Sequence, residues 1–180
     1  MDRFVALLRG INVGGNKVIG MAELKLMAEE AGLRDCRTIL QSGNLLFSSD
    51  KQGSVCEELL VAEIEKKFAV RCDVLIRSAE EWRNIVVSNP FPDEAQSDPG
   101  HLLVVCRKSP IAASEVSSLQ NAIQGPELIR GEGQDIYVYY PAGIGESKVA
   151  KTPGWKNTVG FGTGRNWNTV LRIHDVLALA

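Results

Sequence analysis

Histidine, cysteine and long apolar runs are all scarce in this chain of 180 residues, and each scarcity excludes a class of protein. With only two histidines, no cluster of His, Cys, Asp and Glu has a metal-ligand spacing, so no metal site is predicted. The four cysteines include no C-x-x-C pair, which indicates reduced, mostly buried thiols and not disulfides or a zinc site. No dinucleotide loop, P-loop or serine elbow is present, so no cofactor is predicted and the catalytic residues stay unassigned.

The apolar runs are also far shorter than the roughly 20 residues that span a bilayer. The first residues, Met1-Asp2-Arg3-Phe4, lack the basic and apolar regions of a signal peptide, so we expect a cytoplasmic protein with no membrane partner. A net charge of −2 disfavours nucleic acid as a partner, although a local basic groove stays possible.

The first half of the chain predicts the order β-α-β-β-α-β followed by one more helix. Short apolar segments at 4–8, 38–41, 45–48 and 73–77 predict strands, and apolar residues at helical spacing predict the helices between them. Ser54 and Ser78 each precede a glutamate by three residues, the capping-box spacing, so each is predicted to begin a helix. This order is the split βαβ, or ferredoxin-like, pattern.

The second half begins with the same order of elements. Strands are predicted at 101–107, 127–130 and 136–140, and Ser109 is predicted to cap the helix after the first of them. The glycine-rich stretch 143–164 predicts only a short helix near 147–151, and a last helix starts at about Asn166. Prolines and polar residues between 91 and 100 predict a boundary that separates subdomains 1–92 and 93–180. The predicted fold class is therefore α+β, with two similar ferredoxin-like subdomains and a C-terminal helix.

Four loop segments carry residues that suit a polar ligand, and the first is the glycine-rich segment 9–17. Glycine-rich backbone can present amides to an anion, and Arg9 and Lys17 add positive charge. A plain strand-to-helix connection explains the segment equally well. The candidate residues here are Arg9, Gly10, Asn12, Gly14, Gly15 and Lys17.

The other three segments are 41–44, 140–148 and 165–169. Ordinary turn chemistry is the favoured explanation of the first, and a flexible strand-to-helix loop is the favoured explanation of the second. In the third, a helix cap at Asn166 and a core Trp167 leave neighbouring polar residues available for anion or amide recognition. The candidate residues are Gln41, Ser42, Asn44, Lys148, Arg165 and Asn168.

The same segments carry a family resemblance. The similar blocks are 6–15, 41–44, 140–148 and 165–170, which spread over nearly the whole chain in the same order. In these blocks the chain resembles a bacterial family catalogued as domain of unknown function 1697. The resemblance implies two α+β subdomains, and it brings no assigned activity and no accepted catalytic residues. Family members usually have a longer helix after the Ser-Lys pair, whereas proline and glycine interrupt 149–164 here.

Three kinds of function stay open. The preferred hypothesis is a groove between the subdomains, formed by the four loops, that binds or acts on a phosphorylated or carboxylated small molecule. Candidate acids or bases for a reaction there are Lys17, Lys148, Tyr139 and Tyr140. One alternative is nucleic-acid binding on a sheet surface, with stacking on Tyr137 and Tyr139, and the other is a non-catalytic protein-interaction module. The sequence leaves open the ligand, the choice between enzyme and binder, and the oligomeric state.

Overall fold

The computed structural model describes residues 1–15, 17–160 and 162–179, and the chain divides into two compact units. Unit 1 comprises Met1–Asn84 and Arg172–Ala180, and unit 2 comprises Ile85–Leu171. The predicted boundary after residue 92 differs from this division. The segment after Ile85 belongs with unit 2 because the Tyr137 hydroxyl donates to the Ile85 carbonyl at 2.8 Å.

Unit 1 has the predicted ferredoxin-like order. Its elements are β1 (Asp2–Leu8), α1 (Met21–Glu30), β2 (Arg34–Ile39), β3 (Asn44–Ser49), α2 (Gly53–Phe68) and β4 (Val74–Ser78), and α3 (Ala79–Val87) follows. The strands form an antiparallel sheet in the order β2-β3-β1-β4.

One face of this sheet forms a core with α1 and α2. Side chains alternate across a strand, so Phe4, Ala6 and Leu8 of β1 share the face that packs against the helices. The rings of Phe4 and Phe47 stack there with centroids 5.5 Å apart. Leu60 of α2 is fully buried against this face.

Unit 2 repeats the order, which confirms the predicted fold class. Its elements are α4 (Pro92–Ser97), β5 (Leu102–Cys106), α5 (Ala113–Ala122), β6 (Leu128–Glu132), β7 (Asp135–Tyr139), α6 (Trp155–Thr158) and β8 (Thr163–Asn166). Helix α7 (Trp167–Ala178) follows, and its residues from Arg172 onward belong to unit 1. The sheet order is β6-β7-β5-β8, so β8 occupies the position that β4 has in unit 1. Within the described residues, no helix is long and apolar enough to cross a membrane.

Two predicted helix starts are confirmed by hydrogen bonds. The Ser78 amide donates to the Glu81 carboxylate at 2.7 Å, and the Glu81 amide donates to the Ser78 hydroxyl at 3.2 Å, which completes a capping box. At the start of α7, the Asn166 side chain accepts the Thr169 amide at 3.0 Å.

Two other predicted caps are wrong. Helix α2 begins at Gly53, so Ser54 lies inside its first turn and not at the cap. Helix α5 begins at Ala113, four residues after Ser109, because Pro110 and its neighbours stay outside the helix. The Glu115 carboxylate accepts the Ala112 amide at 3.2 Å and marks the true start.

The contrast between Ser78 and Ser54 gives a first test. Ser78→Ala is expected to lower the free energy of unfolding by about 1 kcal/mol, because it leaves the Glu81 amide without its acceptor. Ser54→Ala, the matched control, is expected to change it by less than about 0.5 kcal/mol, because the exposed hydroxyl makes no cap bond. Urea unfolding measures both values, and equal effects would contradict the assignment of the caps.

Candidate functional site

In unit 1 the glycine-rich loop and the β2–β3 turn lie against each other. The Asn12 side chain, on a residue with φ 53°, donates to the carbonyls of Ile19 at 3.0 Å and Gln41 at 2.8 Å. It also accepts the Ile19 amide at 2.9 Å. Asn12 therefore holds its own loop closed and joins it to the turn, so its amide has a structural function in this state.

The β2–β3 turn is held by hydrogen bonds from a buried side chain and from the end of β1. The fully buried Asn44 donates to the Ile39 carbonyl at 2.8 Å and to the Ser42 hydroxyl at 3.0 Å. The Gly43 carbonyl accepts the Leu8 amide at 2.9 Å, which fixes the turn to the end of β1. These bonds agree with the turn explanation of segment 41–44, and they leave only Gln41 and Ser42 exposed.

The cationic residues of this loop face the segment before β4. The Arg9 guanidinium lies 3.2 Å from the Asp73 carboxylate, and the Lys17 ammonium donates to the Arg71 carbonyl at 2.7 Å. Gly10, Gly14 and Gly15 have φ values of 66°, 62° and 76°, a left-handed backbone that glycine adopts without strain. Asn16 lies outside the described residues. The described residues of the loop are thus held by contacts with neighbouring segments, and the role of the loop in ligand binding stays a prediction.

In unit 2, Arg165 and Asn168 have different environments. Arg165 is 6% exposed and donates to the Thr163 hydroxyl and the Gly164 carbonyl, both at 2.8 Å. Burial lowers the pKa of Arg165 to about 10, which still leaves the guanidinium charged at neutral pH. Asn168 is exposed on the first turn of α7.

A groove of about 510 Å³ lies in unit 2 between the α5–β6 connection, residues 122–127, and the segment from Glu146 to Pro153. We call it the lysine groove, because Lys148 and Lys151 line the second side. Both lysines are exposed, and in the described part of the chain their ammonium groups have neither a hydrogen bond nor an ion pair. Of the candidates predicted from the sequence, Lys148 is the one that lines this groove.

One wall of the lysine groove is fixed by a buried carboxylate. Glu127 is 6% exposed and accepts a short hydrogen bond from the Ser147 hydroxyl. The Ser147 oxygen in turn accepts the Val149 amide at 3.1 Å, at the start of the 3₁₀ turn Val149–Lys151, which Lys148 directly precedes. A Cβ at Gly125 would lie 2.0 Å from the Glu127 carboxylate, so a side chain there would require Glu127 to move. These contacts position the two lysines.

The tyrosines named as acid or base candidates are held in the protonated form. Burial, with the negative charge of Glu127, raises the pKa of Tyr140 to about 12. Desolvation and a hydrogen bond to Asp98 raise the pKa of Tyr139. Both phenols therefore suit hydrogen-bond donation and not proton abstraction at neutral pH. Tyr137 is 1% exposed, so its ring offers no stacking surface for a base.

The cysteines have the character of buried thiols. Cys36, Cys56 and Cys106 are buried and Cys72 is half-buried, and no disulfide joins these four residues. Burial raises the pKa of Cys36 to about 11, and it also raises that of Cys72, which opposes thiolate formation. Within the described residues, no group of three His, Cys, Asp or Glu side chains could hold a metal ion.

Two residues of interest were not predicted from the sequence. Lys151 lies beside Lys148 on one side of a turn. The spacing of three residues between the two lysines is the sequence feature that could have identified it. Arg77 is 4% exposed in β4 and pairs with Val5, as Arg165 of β8 pairs with Val104. Each unit therefore carries one buried arginine at the same place in its sheet.

A β-α-β-β-α-β unit that occurs twice defines the chain as a tandem ferredoxin-like α+β protein. The chain belongs to the family described as Protein of unknown function (DUF1697), whose profile matches residues 1–137. Among solved structures, it is similar to the conserved bacterial protein SP0830 from Streptococcus pneumoniae, with 22% identity over 99% of each chain and a TM-score of 0.75. At this identity the likeness supports the fold alone. The comparison with curated proteins found no match.

Proposed function

We propose that the lysine groove binds an anionic small molecule that also carries hydroxyl groups, such as a phosphorylated or carboxylated polyol. The observation that carries this proposal is the pair Lys148 and Lys151, whose ammonium groups lack a partner within the described residues and share one concave surface. Ammonium groups are donors without acceptor capacity, so an anionic oxygen is their natural ligand.

The size and the remaining polar groups of the groove support the same class of ligand. A volume of about 510 Å³ falls within the range of roughly 300–1,000 Å³ that small-molecule sites occupy. The exposed Glu146 also lines the groove and can accept hydrogen bonds from hydroxyl groups. Glu127 is buried in the wall and accepts the Ser147 hydroxyl, so the exposed lysines and not this carboxylate present the charge that a ligand meets first. We assign binding and no reaction to this groove.

A thermal-shift screen tests the proposal with sugar phosphates, sugar acids and the neutral parent sugars. An anionic compound at about a hundred times its Kd is expected to add about 2.7 kcal/mol of stability, whereas the neutral parent adds none. The variant Lys148→Gln/Lys151→Gln is expected to bind at least about tenfold more weakly, because two charged hydrogen bonds are lost.

Lys156→Gln provides the matched control, since Lys156 is exposed in α6 and does not line the groove. This variant is expected to bind like the wild type. The proposal is wrong if no anionic compound shifts the transition, or if the double variant and the control bind equally well.

A further inference from the structure

The sheet of unit 2 has an open edge at β6. Among the described residues this strand pairs only with β7, and a two-residue turn joins Glu132 to Asp135. In such a hairpin, every second residue directs its N–H and C=O toward the partner strand. In β6 these residues are Glu132, Arg130 and Leu128. The peptide groups of Ile129 and Gly131 therefore face outward, as the bond from the Ile129 amide to the Gln120 side chain at 2.6 Å shows.

Only part of this edge is closed by the protein itself. The Gln120 amide takes the outward positions at Ile129 and Glu127, where its nitrogen donates to the Glu127 carbonyl at 3.3 Å. One step further along, the N–H and C=O of Gly131 have no hydrogen-bond partner within the described residues. An unpaired, outward-facing peptide group on an edge strand is a template for another strand.

A groove of about 560 Å³ runs along this edge between β6 and α5. Its floor includes Ile111, Val116 and Ile129, and α5 presents the small side chains Ala113 and Ser117 to it. A Cβ at Gly131 would lie 3.0 Å from Val116, so this glycine lies close against α5 on the groove side.

The charges on β6 are complementary to those of a second β6 strand that runs antiparallel to it. Ile129 and Gly131 face α5, so Arg130 and Glu132 share the opposite face, and both are exposed. If two β6 strands pair antiparallel about Gly131, Arg130 of each copy stands opposite Glu132 of the other. Opposite charges at directly facing positions stabilise a strand pair, and twofold symmetry makes the contact twice.

We propose that β6 is a homodimerisation edge, in which two copies of this chain pair their β6 strands antiparallel about Gly131. Each Gly131 amide donates to the Gly131 carbonyl of the other copy, and two Arg130–Glu132 ion pairs flank these bonds. The two sheets of unit 2 then form one continuous sheet. This inference concerns a surface other than the lysine groove, so either proposal can fail alone.

Analytical ultracentrifugation of the full chain, at concentrations up to about 1 mM, tests the dimer. The wild type is expected to dimerise reversibly. Arg130→Glu and Glu132→Arg are each expected to raise the dimer Kd at least about tenfold, because each puts like charges opposite one another. The double variant Arg130→Glu/Glu132→Arg is expected to dimerise again, as is an equimolar mixture of the two single variants.

Rescue separates strand pairing from damage to the fold. The Arg130 guanidinium lies 4.4 Å from the Phe91 ring centroid and donates to the Pro90 carbonyl, and both Arg130→Glu variants lose these contacts. A restored dimer in the double variant therefore reports the charge pairing itself. A monomer at every concentration overturns the proposal, and so does a dimer that the single reversals leave unchanged or the double variant fails to restore.

Discussion

Replacing Gly43 by alanine is expected to lower the free energy of unfolding by about 2–5 kcal/mol. Gly43 has φ 74°, where a side chain adds about 1–2 kcal/mol of strain. Its new Cβ would also lie 2.7 Å from Ile11 Cδ1 and 2.9 Å from Leu8 Cβ, closer than packed carbons approach. Relieving this overlap is expected to add about 1–3 kcal/mol and to separate the glycine-rich loop from the β2–β3 turn.

Gly32→Ala isolates the backbone part of this effect. Gly32 has φ 89° in the same unit, and a Cβ there would have no heavy atom within 4 Å. Its replacement is expected to lower the free energy of unfolding by about 1–2 kcal/mol, from strain alone. Urea unfolding of both variants measures the difference, and equal losses would show that Ile11 and Leu8 do not pack against Gly43 as described.

Loss of stability at alkaline pH is the second large effect expected, and Tyr140 is one of its sources in unit 2. Burial raises the pKa of Tyr140 in the folded state to about 12, above the ordinary value of 10.0. Folding thus favours the neutral phenol. The stability that this gives the folded state is fully present below about pH 10 and is lost as the pH rises from 10 through 12. At about pH 11 the loss amounts to roughly 1 kcal/mol, about half of what the hundredfold difference in proton affinity between the folded and unfolded states gives in full.

Tyr140→Phe removes this titration and leaves every other titrating group in place. The difference in unfolding free energy between wild type and variant is therefore expected to shift by roughly 1 kcal/mol between pH 8 and pH 11, in favour of phenylalanine. Urea unfolding followed by circular dichroism at the two pH values measures the shift. An unchanged difference would mean that Tyr140 is ionised as readily in the folded chain as in the unfolded one.

The fold was predictable where short-range patterns dominate. Short apolar runs predict the strands β1, β3 and β7, and Ser78 with Glu81 predicts a cap that needs only neighbouring residues. Strand β8 was missed because the sequence Thr-Gly-Arg-Asn has no apolar pattern, and it becomes a strand only by pairing with β5. The predicted caps at Ser54 and Ser109 are wrong because a local sequence pattern does not by itself determine the residue at which a helix begins.

The candidate site was less predictable for a related reason. Asn12 and Asn44 looked available for a ligand because sequence shows polar side chains and not the backbone groups that they bond. Lys148 was predicted, whereas Lys151 became notable only when the groove placed both lysines beside residues 122–127. The prediction that all four loops form one groove stays a prediction.

Backbone amide NMR during titration with a hexose phosphate, with the parent hexose as control, tests the lysine groove most directly. The account predicts that the phosphate ester shifts resonances of residues 122–127 and 146–153, that the parent hexose shifts none, and that Lys148→Gln/Lys151→Gln abolishes the response. Shifts confined to the glycine-rich loop at 9–17, or to residues 165–168, would contradict it and place the anion site elsewhere.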